Sequence, residues 1–455
     1  MKSLCPLCTS IIAVVSVMQP ATAGPDGWYT EGNFTPSTRI AVTLTNPLPL
    51  DRDDCPVTIL REVLPLRNIP YEWITVVDPS LTPNPKPTIE EFESRGAGAI
   101  LHEEANGHHV VYQQDDLDKD GLWDELFFMI DIGAGETKTV YLYIGFTERG
   151  LFEHKTHAAL GWYARHPMPF WESEYIGWKL FYPSDVDMHG KREPMLTAYP
   201  EYRGNLGGYY MPFEYGTDIM AVGNTFGAGG ICLFEDTAHP DSVSRPRFSP
   251  YKGKGPLYDT RYAFDVVANG PLRSIVRIKT MNWNTGQGSY ELEQLYTAFA
   301  GKSWSTCLVA FTTFMPESGN IAFGCGIREV MGEYDTYRDG GLIISLGRDF
   351  DPYPPLTYDG STLVMYKDFR VGFEGIALCV RDEYSPEYVN IPGFGGNHAM
   401  RVPVTDDRSY EYMIMGGWNE GAINNTDEAF RRYAVDEALK YNNPLRIGIG
   451  EAEKK

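Results

Sequence analysis

The sequence predicts an all-β protein, a large antiparallel β-sandwich with an N-terminal β unit and a C-terminal helix. Short segments of alternating apolar and polar residues recur along the chain, and 46 Gly and 32 Pro supply turns between them. A helical pattern occurs only near the C-terminus. With 455 residues the chain can bury a large core. We therefore expect two extended sheets packed face to face, in a supersandwich-like arrangement.

The N-terminus has the features of an export signal. Lys2 is followed by an apolar stretch centred on residues 11–17, and small residues at 21–23 precede Gly24. The stretch is too short for a membrane span. We therefore expect residues 1–23 to be a signal peptide and the mature protein to be secreted or periplasmic.

Five of the seven cysteines lie beyond this signal, and none of them forms a CxxC unit. An odd number cannot all pair internally, which argues against a disulfide-dense scaffold or a zinc site. We expect mostly buried thiols and leave one disulfide bridge open. The five are Cys55, Cys232, Cys307, Cys325 and Cys379.

The first half of the chain begins with a β unit. Residues 38–46 alternate between apolar and polar side chains, and residues 137–144 repeat the period, so both are predicted strands. The segment 133–136 has the composition of a hairpin turn. These elements indicate an N-terminal β unit over residues 24–150, followed by the main β-sandwich over residues 151–455.

Within this unit, alternating aspartates followed by Gly121 predict a calcium loop. Oxygen ligands suit Ca²⁺, alternate residues of a tight turn point inward, and glycine adopts the backbone conformation that the turn needs. Phe127 stands where an EF-hand has its bidentate glutamate, so a helix–loop–helix is excluded. The alternative is a solvated acidic hairpin tip. The predicted ligands of a structural Ca²⁺ are Asp116, Asp118, Asp120, the carbonyl of Leu122, and Asp124.

Later elements complete the predicted sandwich. Residues 258–267 and 272–280 form a predicted antiparallel pair around a turn at 269–271. Residues 426–441 have a helical apolar period, and Asn425 with Glu428 three residues on gives a capping signal. The predicted apolar face of this helix consists of Phe430, Tyr433, Ala434, Ala438 and Leu439.

The charge of the chain limits its partners. A formal charge of −22 disfavours nucleic acid and anionic membranes as partners. No segment beyond the signal has about 18 uninterrupted apolar residues, so no membrane span is expected. An acidic substrate would need a local basic cluster or calcium to bind.

Aromatic, acidic and basic residues are densest between Trp171 and Tyr215. Aromatic faces stack on sugar rings, while carboxylates, His, Lys and Arg bind hydroxyl and carboxylate groups or move protons. This composition favours a carbohydrate site, and an amphipathic sheet surface with core tryptophans is the alternative. The residues predicted to bind substrate are Trp171, Glu172, Trp178 and Tyr209.

Several segments of the chain carry a family resemblance. They cover residues 116–128, 171–179, 187–192, 209–210, 216–218, 222–223, 227–230, 269–273, 416–418 and 443–445. In these segments the chain resembles domain-of-unknown-function family 4861, whose members are secreted bacterial proteins encoded beside polysaccharide-degrading enzymes. The resemblance implies a carbohydrate-active protein with a lyase-like sandwich. The chain departs from the family pattern at Tyr175, Lys179, Tyr210 and Ala228.

The leading hypothesis is a lyase or dehydratase that acts on uronate-containing oligosaccharides or polysaccharides by β-elimination. The reaction needs a group that neutralises the substrate carboxylate, a base that takes the neighbouring proton, and an acid for the leaving oxygen. Lys191 and Arg192 suit the first role, and His189 or Tyr210 the second. Tyr210 or Tyr209 suits the third.

Two alternatives remain open. A glycoside hydrolase would use a pair of carboxylates at a defined separation. A non-catalytic binding protein would use its aromatic residues as a stacking platform, and the departures from the family pattern favour it. The carboxylates available for the hydrolase are Glu172, Glu174, Asp187, Glu214 and Asp218.

Overall fold

The fold is all-β, as predicted, with strands in several antiparallel sheets and one long helix near the C-terminus. The predicted signal peptide, residues 1–23, lies outside the residues that the structure describes. A computed structural model describes residues 27–28, 36–81, 89–95, 109–146, 152–163, 166–181, 184–198, 214–220, 222–239, 243–246, 260–348, 356–358, 361–363 and 371–455.

The strands and helices are numbered along the chain. The strands are β1 (Thr38–Thr45), β2 (Arg52–Leu60), β3 (Ile74–Val77), β4 (Tyr112–Asp115), β5 (Glu125–Ile132), β6 (Thr137–Ile144), β7 (Thr156–Tyr163), β8 (His166–Ser173), β9 (Ile176–Phe181), β10 (Asp185–Lys191), β11 (Gly216–Asp218), β12 (Gly230–Phe234), β13 (Arg261–Asn269), β14 (Arg273–Asn284), β15 (Gly288–Phe299), β16 (Trp304–Pro316), β17 (Ala322–Arg328), β18 (Asp335–Asp339), β19 (Leu342–Gly347), β20 (Leu356–Tyr358), β21 (Ser361–Leu363), β22 (Glu374–Val380), β23 (Glu387–Ile391), β24 (Asn397–Pro403), β25 (Ser409–Trp418) and β26 (Arg446–Lys454). The helices are α1 (Ile89–Arg95) and α2 (Asp427–Asn442).

The chain forms two compact units, and the first is not contiguous in sequence. It comprises Met1–His154, Gly270–Leu272 and Asn443–Lys455. Its sheets are β26-β1-β6-β3 and β2-β5-β4, and both are antiparallel. The C-terminal strand β26 pairs with β1, so a single boundary near residue 150 does not describe this unit. Alternate residues of β1 and β6 enter its apolar core, as their period predicts.

The second unit comprises Lys155–Asn269 and Arg273–Asn442. An eight-stranded sheet has the order β13-β14-β15-β16-β25-β22-β19-β18. A five-stranded sheet, β11-β10-β9-β8-β7, and a four-stranded sheet, β12-β17-β24-β23, contribute to the same apolar core as this large sheet. Sheets that share one core in this way form a sandwich, and strands β20 and β21 add a small hairpin.

The predictions of individual strands and helices were accurate where the sequence has a clear period of apolar residues. Strands β13 and β14 form the predicted hairpin, whose first two predicted residues, 258 and 259, lie outside the described residues. The helix predicted at 426–441 is α2, but its cap is Thr426, whose hydroxyl accepts a hydrogen bond from the backbone N–H of Ala429 at 3.2 Å. The predicted cap Asn425 instead donates to the carbonyl of Gly421. Phe430, Ala434 and Ala438 are buried as predicted, whereas Leu439 is exposed.

The five cysteines beyond the predicted signal are all buried and free, so none of them forms the disulfide that the sequence left open. Among the described residues, no helix has both the length and the apolar character needed to cross a bilayer.

Candidate functional site

The five-stranded sheet of the second unit carries most of the predicted site residues. Lys179 of β9 lies opposite Asp187 of β10, and His189 of β10 lies opposite Asp218 of β11. Because side chains alternate between the two faces of a strand, Asp187 and His189 share one face. The intervening Met188 belongs to the apolar core. The face of the sheet that turns away from the core therefore carries ionisable groups.

These groups form a close and buried cluster. Lys179 Nζ lies 2.7 Å from Asp187 Oδ2. One ligand atom from each of Asp187, His189 and Asp218 lies within 4.8 Å of the others. None of these four residues, Lys179 included, is more than 3% exposed. Charges placed this close together in a dry environment interact far more strongly than they would in water.

A glycine keeps space for the imidazole in this cluster. Gly177 of β9 lies opposite His189, and the ring of Phe170 meets that of His189 edge-on with centroids 5.5 Å apart. A Cβ at Gly177 would lie 2.7 Å from Phe170 Cζ and 3.3 Å from His189 Cβ. A larger residue at this position would therefore displace the ring of Phe170, which packs against the imidazole.

The cluster also changes the proton affinity of one carboxyl group. Burial raises the pKa of Asp218 to about 7, and the neighbouring Asp187 carboxylate adds to this effect, while Lys179 and His189 oppose it. The backbone N–H of Met220 donates to Asp218 Oδ1 at 3.1 Å. A carboxyl group that titrates near neutrality can both release and accept a proton at physiological pH.

The position of Lys191 corrects its predicted role. Its ammonium group is fully buried, forms an ion pair with Glu172, and donates to the carbonyls of Ser173 at 2.6 Å and Met195 at 2.8 Å. These three partners use all three N–H donors of a lysine. Lys191 is therefore held by the protein and is not available to neutralise a substrate carboxylate.

Glu172 is held in the same network. Its carboxylate accepts hydrogen bonds from the backbone N–H of Thr197 at 2.8 Å and of Ala198 at 2.9 Å, and His157 Nδ1 lies 3.4 Å away. Burial alone would raise the pKa of Glu172, but the charge of Lys191 and these hydrogen bonds outweigh it and hold the pKa below its usual value. In this structure Glu172 has a structural role instead of the predicted contact with substrate.

The tryptophans of the predicted stacking platform also lie elsewhere. Trp171 and Trp178 are fully buried in the core of the second unit. Trp171 stacks on Tyr296 with centroids 4.6 Å apart, and its Nε1 donates to Ser305 Oγ at 2.9 Å. Neither ring is available to stack on a sugar, so the prediction for these two residues is corrected. The reason is that they project from the core face of the sheet.

Arg192 is the one described basic residue of the predicted site that reaches the surface. Its Nε donates to Glu420 Oε2 at 2.5 Å, and its guanidinium lies 5.4 Å from the ring centre of Trp418. The predicted Tyr209 and Tyr210 lie outside the described residues.

The carboxylates of the hydrolase alternative do not form an open pair. Glu174 accepts hydrogen bonds from the backbone N–H of Gly301, and burial raises its pKa. Glu214 is exposed. Asp187 and Asp218 have oxygen atoms within 4.8 Å of each other, and both side chains are buried.

The predicted calcium loop has a defined turn geometry. Lys119 and Gly121 have φ angles of 65° and 90°, and β5 follows the loop, so no helix–loop–helix forms. Carboxylate oxygens of Asp116, Asp118 and Asp120 lie within 4.8 Å of one another. The backbone N–H groups of the loop donate to these aspartates, for example from Gly121 to Asp116 Oδ2 at 2.9 Å.

The other two predicted ligands, Asp124 and Leu122, have surroundings that differ from those of the three aspartates. Asp124 Oδ2 accepts hydrogen bonds from the backbone N–H groups of Leu117 and Asp118. Burial raises the pKa of Asp124; these hydrogen bonds lower it, and the charges of Asp118 and Asp116 raise it. The side chain of Leu122 is half exposed, while the neighbouring Trp123 is buried and anchors the loop through a 2.8 Å bond from its Nε1 to the carbonyl of Ile69.

Sequence reasoning missed Lys179 as the partner of Asp187. The available signal was the alternation of Asp187, His189 and Lys191, which places three ionisable side chains on one face of a strand. Which strand pairs with β10, and so which lysine meets Asp187, depends on the register between β9 and β10. The sequence does not state that register.

The solved structures that resemble this chain share little sequence with it. No curated protein sequence matches the chain. An α-mannosidase from Enterococcus faecalis V583 is similar in structure, with a TM-score of 0.45 and 10% identity over 91% of this chain and 46% of that chain. A glycosyl hydrolase family 38 protein from Enterococcus faecalis has a TM-score of 0.45 and 9% identity over 92% of this chain and 48% of that chain.

The chain thus spans about half the length of these two proteins, and such distant likeness leaves the function to be argued from the site itself. A family model described as a domain of unknown function (DUF4861) matches residues 44–447. Because this match covers most of the sequence, including both units and the cluster on β9 to β11, the chain belongs to the DUF4861 family.

Proposed function

We propose that this protein is an exported, carbohydrate-active enzyme of the carbon–oxygen lyase class that acts on uronate-containing oligosaccharides by β-elimination. One observation carries the proposal. Asp187, His189 and Asp218 form a buried acid–base cluster in which one carboxyl group has a pKa of about 7. Groups whose proton affinity is shifted by burial and by specific neighbours concentrate at catalytic sites.

The proposed chemistry divides three roles among these residues. His189 accepts the proton next to the uronate carboxylate, and the electrons of that C–H bond form the new carbon–carbon double bond. The β carbon–oxygen bond then breaks, and protonated Asp218 gives its proton to the leaving oxygen. The ammonium group of Lys179 forms an ion pair with Asp187 and in this way holds that carboxylate in place within the cluster.

The substrate carboxylate needs a positive partner of its own. Arg192 follows β10 by one residue and is partly exposed, so it suits this role, whereas the ammonium of Lys191 is bound to Glu172. Tyr210 remains the alternative proton donor. Because His189 is buried, the proposal requires this face of the sheet to open to the substrate.

The other two functions have weaker support. A hydrolase needs two carboxylates with space for a sugar and a water between them. Asp187 and Asp218 have oxygen atoms within 4.8 Å of each other, which leaves little space for either. A binding protein would present its aromatic faces to the sugar, but Trp171 and Trp178 lie in the core. Elimination is therefore the function that the geometry supports best.

Absorbance tests the elimination directly. A double bond conjugated to the uronate carboxylate absorbs near about 235 nm, so wild-type protein should raise the absorbance of a uronate oligosaccharide mixture. His189→Gln and Asp218→Asn should each lower the rate by about 10²-fold or more. Glu214→Gln is the matched control, because Glu214 is exposed, and should keep the wild-type rate.

Two outcomes would contradict the proposal. New reducing ends without added absorbance would mean hydrolysis. Wild-type rates in folded His189→Gln and Asp218→Asn would place the reaction at another site. Circular dichroism of each variant separates loss of activity from loss of fold.

We infer that the loop at residues 116–124 binds a structural Ca²⁺. Its residues fit the ion, because three carboxylates converge within 4.8 Å and the positive φ of Gly121 closes the turn. Asp116, Asp118 and Asp120 would hold the ion, and it would tie the β4–β5 connection together.

Thermal unfolding with calcium and with chelator tests this inference. Calcium should raise the midpoint of unfolding in the wild type and in Glu451→Gln, which changes an exposed carboxylate elsewhere in the first unit. The increment should vanish in Asp116→Asn. An unchanged increment in Asp116→Asn would assign the calcium effect to another site.

A further inference from the structure

A second cluster of ionisable side chains lies in the second unit, separate from the residues given a catalytic role. His398 projects from β24, and Glu329 directly follows β17, which pairs with β24. Glu333 lies in the turn that leads to β18. One ligand atom of each of the three side chains lies within 4.8 Å of the other two.

The imidazole of His398 is held in a fixed orientation. Its Nδ1 lies 2.9 Å from the hydroxyl of Tyr388, on the neighbouring strand β23, and its Nε2 lies 2.9 Å from Glu333 Oε1. His398 is only 4% exposed. A histidine that binds a metal through one nitrogen commonly uses the other nitrogen to bind a second group in this way.

The carboxylate of Glu333 is also positioned. Ser345 Oγ donates to Glu333 Oε1 at 2.5 Å, and the backbone N–H of Val330 donates to Ser345 Oγ at 3.0 Å. The contacts with Ser345 and His398 hold the carboxylate of Glu333 beside the imidazole.

The third side chain, Glu329, lies in a space kept open by a glycine. A Cβ at Gly396 would lie 2.6 Å from Glu329 Oε2, and Gly396 has a φ of 88°. The backbone N–H of Glu329 donates to the carbonyl of Gly396 at 3.1 Å. Within the described part of the chain, no hydrogen bond or ion pair engages the Glu329 carboxylate. Two carboxylates thus lie beside one imidazole.

We propose that Glu329, Glu333 and His398 bind a divalent transition-metal ion of the zinc class. One imidazole nitrogen and two carboxylate oxygens form a donor set that such ions accept. The 2.9 Å between His398 Nε2 and Glu333 Oε1 is close to the roughly 3.3 Å between ligand atoms around a tetrahedral zinc ion. Only Glu329 needs to approach, and Gly396 leaves it room.

The site differs in kind from the calcium loop. A nitrogen ligand and a second group bound to its other nitrogen favour zinc over the hard ions that all-oxygen sites bind. Glu329 and Glu333 are partly exposed, so an ion can enter from solvent and keep one coordination position open. An ion here would link β17, β24 and the turn before β18.

Calorimetric titration of the metal-free full chain with zinc chloride, in calcium sufficient to fill the acidic loop, tests the proposal. We expect one zinc per chain. Glu333→Gln and Glu329→Gln should each weaken binding by at least about tenfold, and Tyr388→Phe by about 10–100-fold. Glu387→Gln, an exposed carboxylate on the same strand as Tyr388, should bind as the wild type does.

Cobalt provides a second measurement, because its visible absorbance reports the ligand set. His398→Gln should lose the spectrum of a site with a nitrogen ligand. If His398→Gln fails to fold, the two glutamate variants decide the question, since both side chains are partly exposed. Unchanged zinc affinity in both glutamate variants, absence of binding to the wild type, or loss of binding only in His189→Gln would overturn the proposal.

Discussion

At the scale of single residues, the polar face of β10 combines two kinds of buried charge. Lys191 and Glu172 form an ion pair, and backbone groups form further hydrogen bonds with both side chains, which is typical of a structural ion pair. Asp218 instead is buried and also lies near another carboxylate, so its pKa is raised to about 7 and the protein holds a proton there near neutral pH. The two patterns lead to different predictions.

The proton on Asp218 should make stability depend on pH. In the unfolded chain an aspartate titrates near about 3.9, whereas the folded pKa of Asp218 is about 7. Between these values the folded state holds a proton that the unfolded state has lost, so stability should fall as pH rises through this window. In Asp218→Asn this loss should be smaller by roughly 1–3 kcal/mol.

Urea unfolding of the wild type and Asp218→Asn at about pH 5 and pH 7.5 measures the difference. Glu214→Gln serves as the control and should follow the wild type. Parallel pH dependence in Asp218→Asn and the wild type would mean that Asp218 does not hold this proton.

Removal of Lys191 should show how much an unpaired buried charge lowers the free energy of unfolding. Lys191→Met leaves Glu172 fully buried beside an apolar side chain, which should lower the free energy of unfolding by about 3–5 kcal/mol. Arg192→Met removes a partly exposed pair with Glu420 and should cost about 1 kcal/mol or less. Urea unfolding compares them, and equal losses would contradict the structural role of Lys191.

At the scale of elements, small residues decide which surfaces can meet. Helix α2 packs on the eight-stranded sheet through Phe430 and Ala434, and Gly375 of β22 lies directly beneath the phenylalanine ring. A Cβ at Gly375 would lie 2.4 Å from Phe430 Cδ1. The lack of a side chain at Gly375 therefore allows the helix to pack closely on the sheet.

Gly375→Ala should destabilise the second unit by about 1–3 kcal/mol, because the added methyl group forces Phe430 to move. Gly393→Ala is the matched control, since a Cβ there meets no atom within 4 Å, and it should change stability by less than about 0.5 kcal/mol. Thermal unfolding of the two variants distinguishes them. A neutral Gly375→Ala would show that the helix adjusts without loss.

At the scale of the whole molecule, strands β1 and β26, which lie far apart in the sequence, pair in one sheet. Strand β26 pairs with β1 from Thr38 opposite Lys454 to Thr45 opposite Arg446, and Arg39 forms an ion pair with Glu453. Apolar side chains of β26 also pack against the core of the first unit. The last residues of the chain are thus part of its first unit.

A chain that ends at Asn442 should therefore have a weakened first unit. Without β26, strand β1 becomes a sheet edge, and its amides should exchange with solvent at least about tenfold faster. Strands β14 to β16 provide the internal reference in a hydrogen-exchange experiment. Unchanged exchange in β1 would mean that β26 adds little to the first unit.

Local periodicity was a sufficient guide to individual elements. Strand β6 and helix α2 lie where their residues predict them, because an alternating or helical pattern is a property of neighbouring residues. The turn geometry of the acidic loop was also predictable, since its aspartates and Gly121 lie close together in sequence, whereas calcium binding there stays a prediction. The cap of α2 was misplaced by one residue, because Asn425 and Thr426 are both good capping residues.

The site was less predictable, because strand β10 is buried on both of its faces. When one face of a strand is exposed to solvent, the alternation of polar and apolar residues shows which side chains face the core. Strand β10, however, is buried at every position. The sequence therefore did not tell whether Trp178 or His189 faces the core. The pairing of β1 with β26 was hidden as well, since Arg39 and Glu453 are 414 residues apart.

By itself the sequence determined the all-β class, most of the individual elements and the acidic loop, because each depends on residues close together in the chain. The tertiary structure alone decided that the tryptophans are core residues, that Lys191 serves Glu172, and that Asp218 shares a buried face with Asp187 and His189. These outcomes depend on strand register and on which side of a sheet is covered. Contacts between distant segments fix both, and no local pattern encodes them.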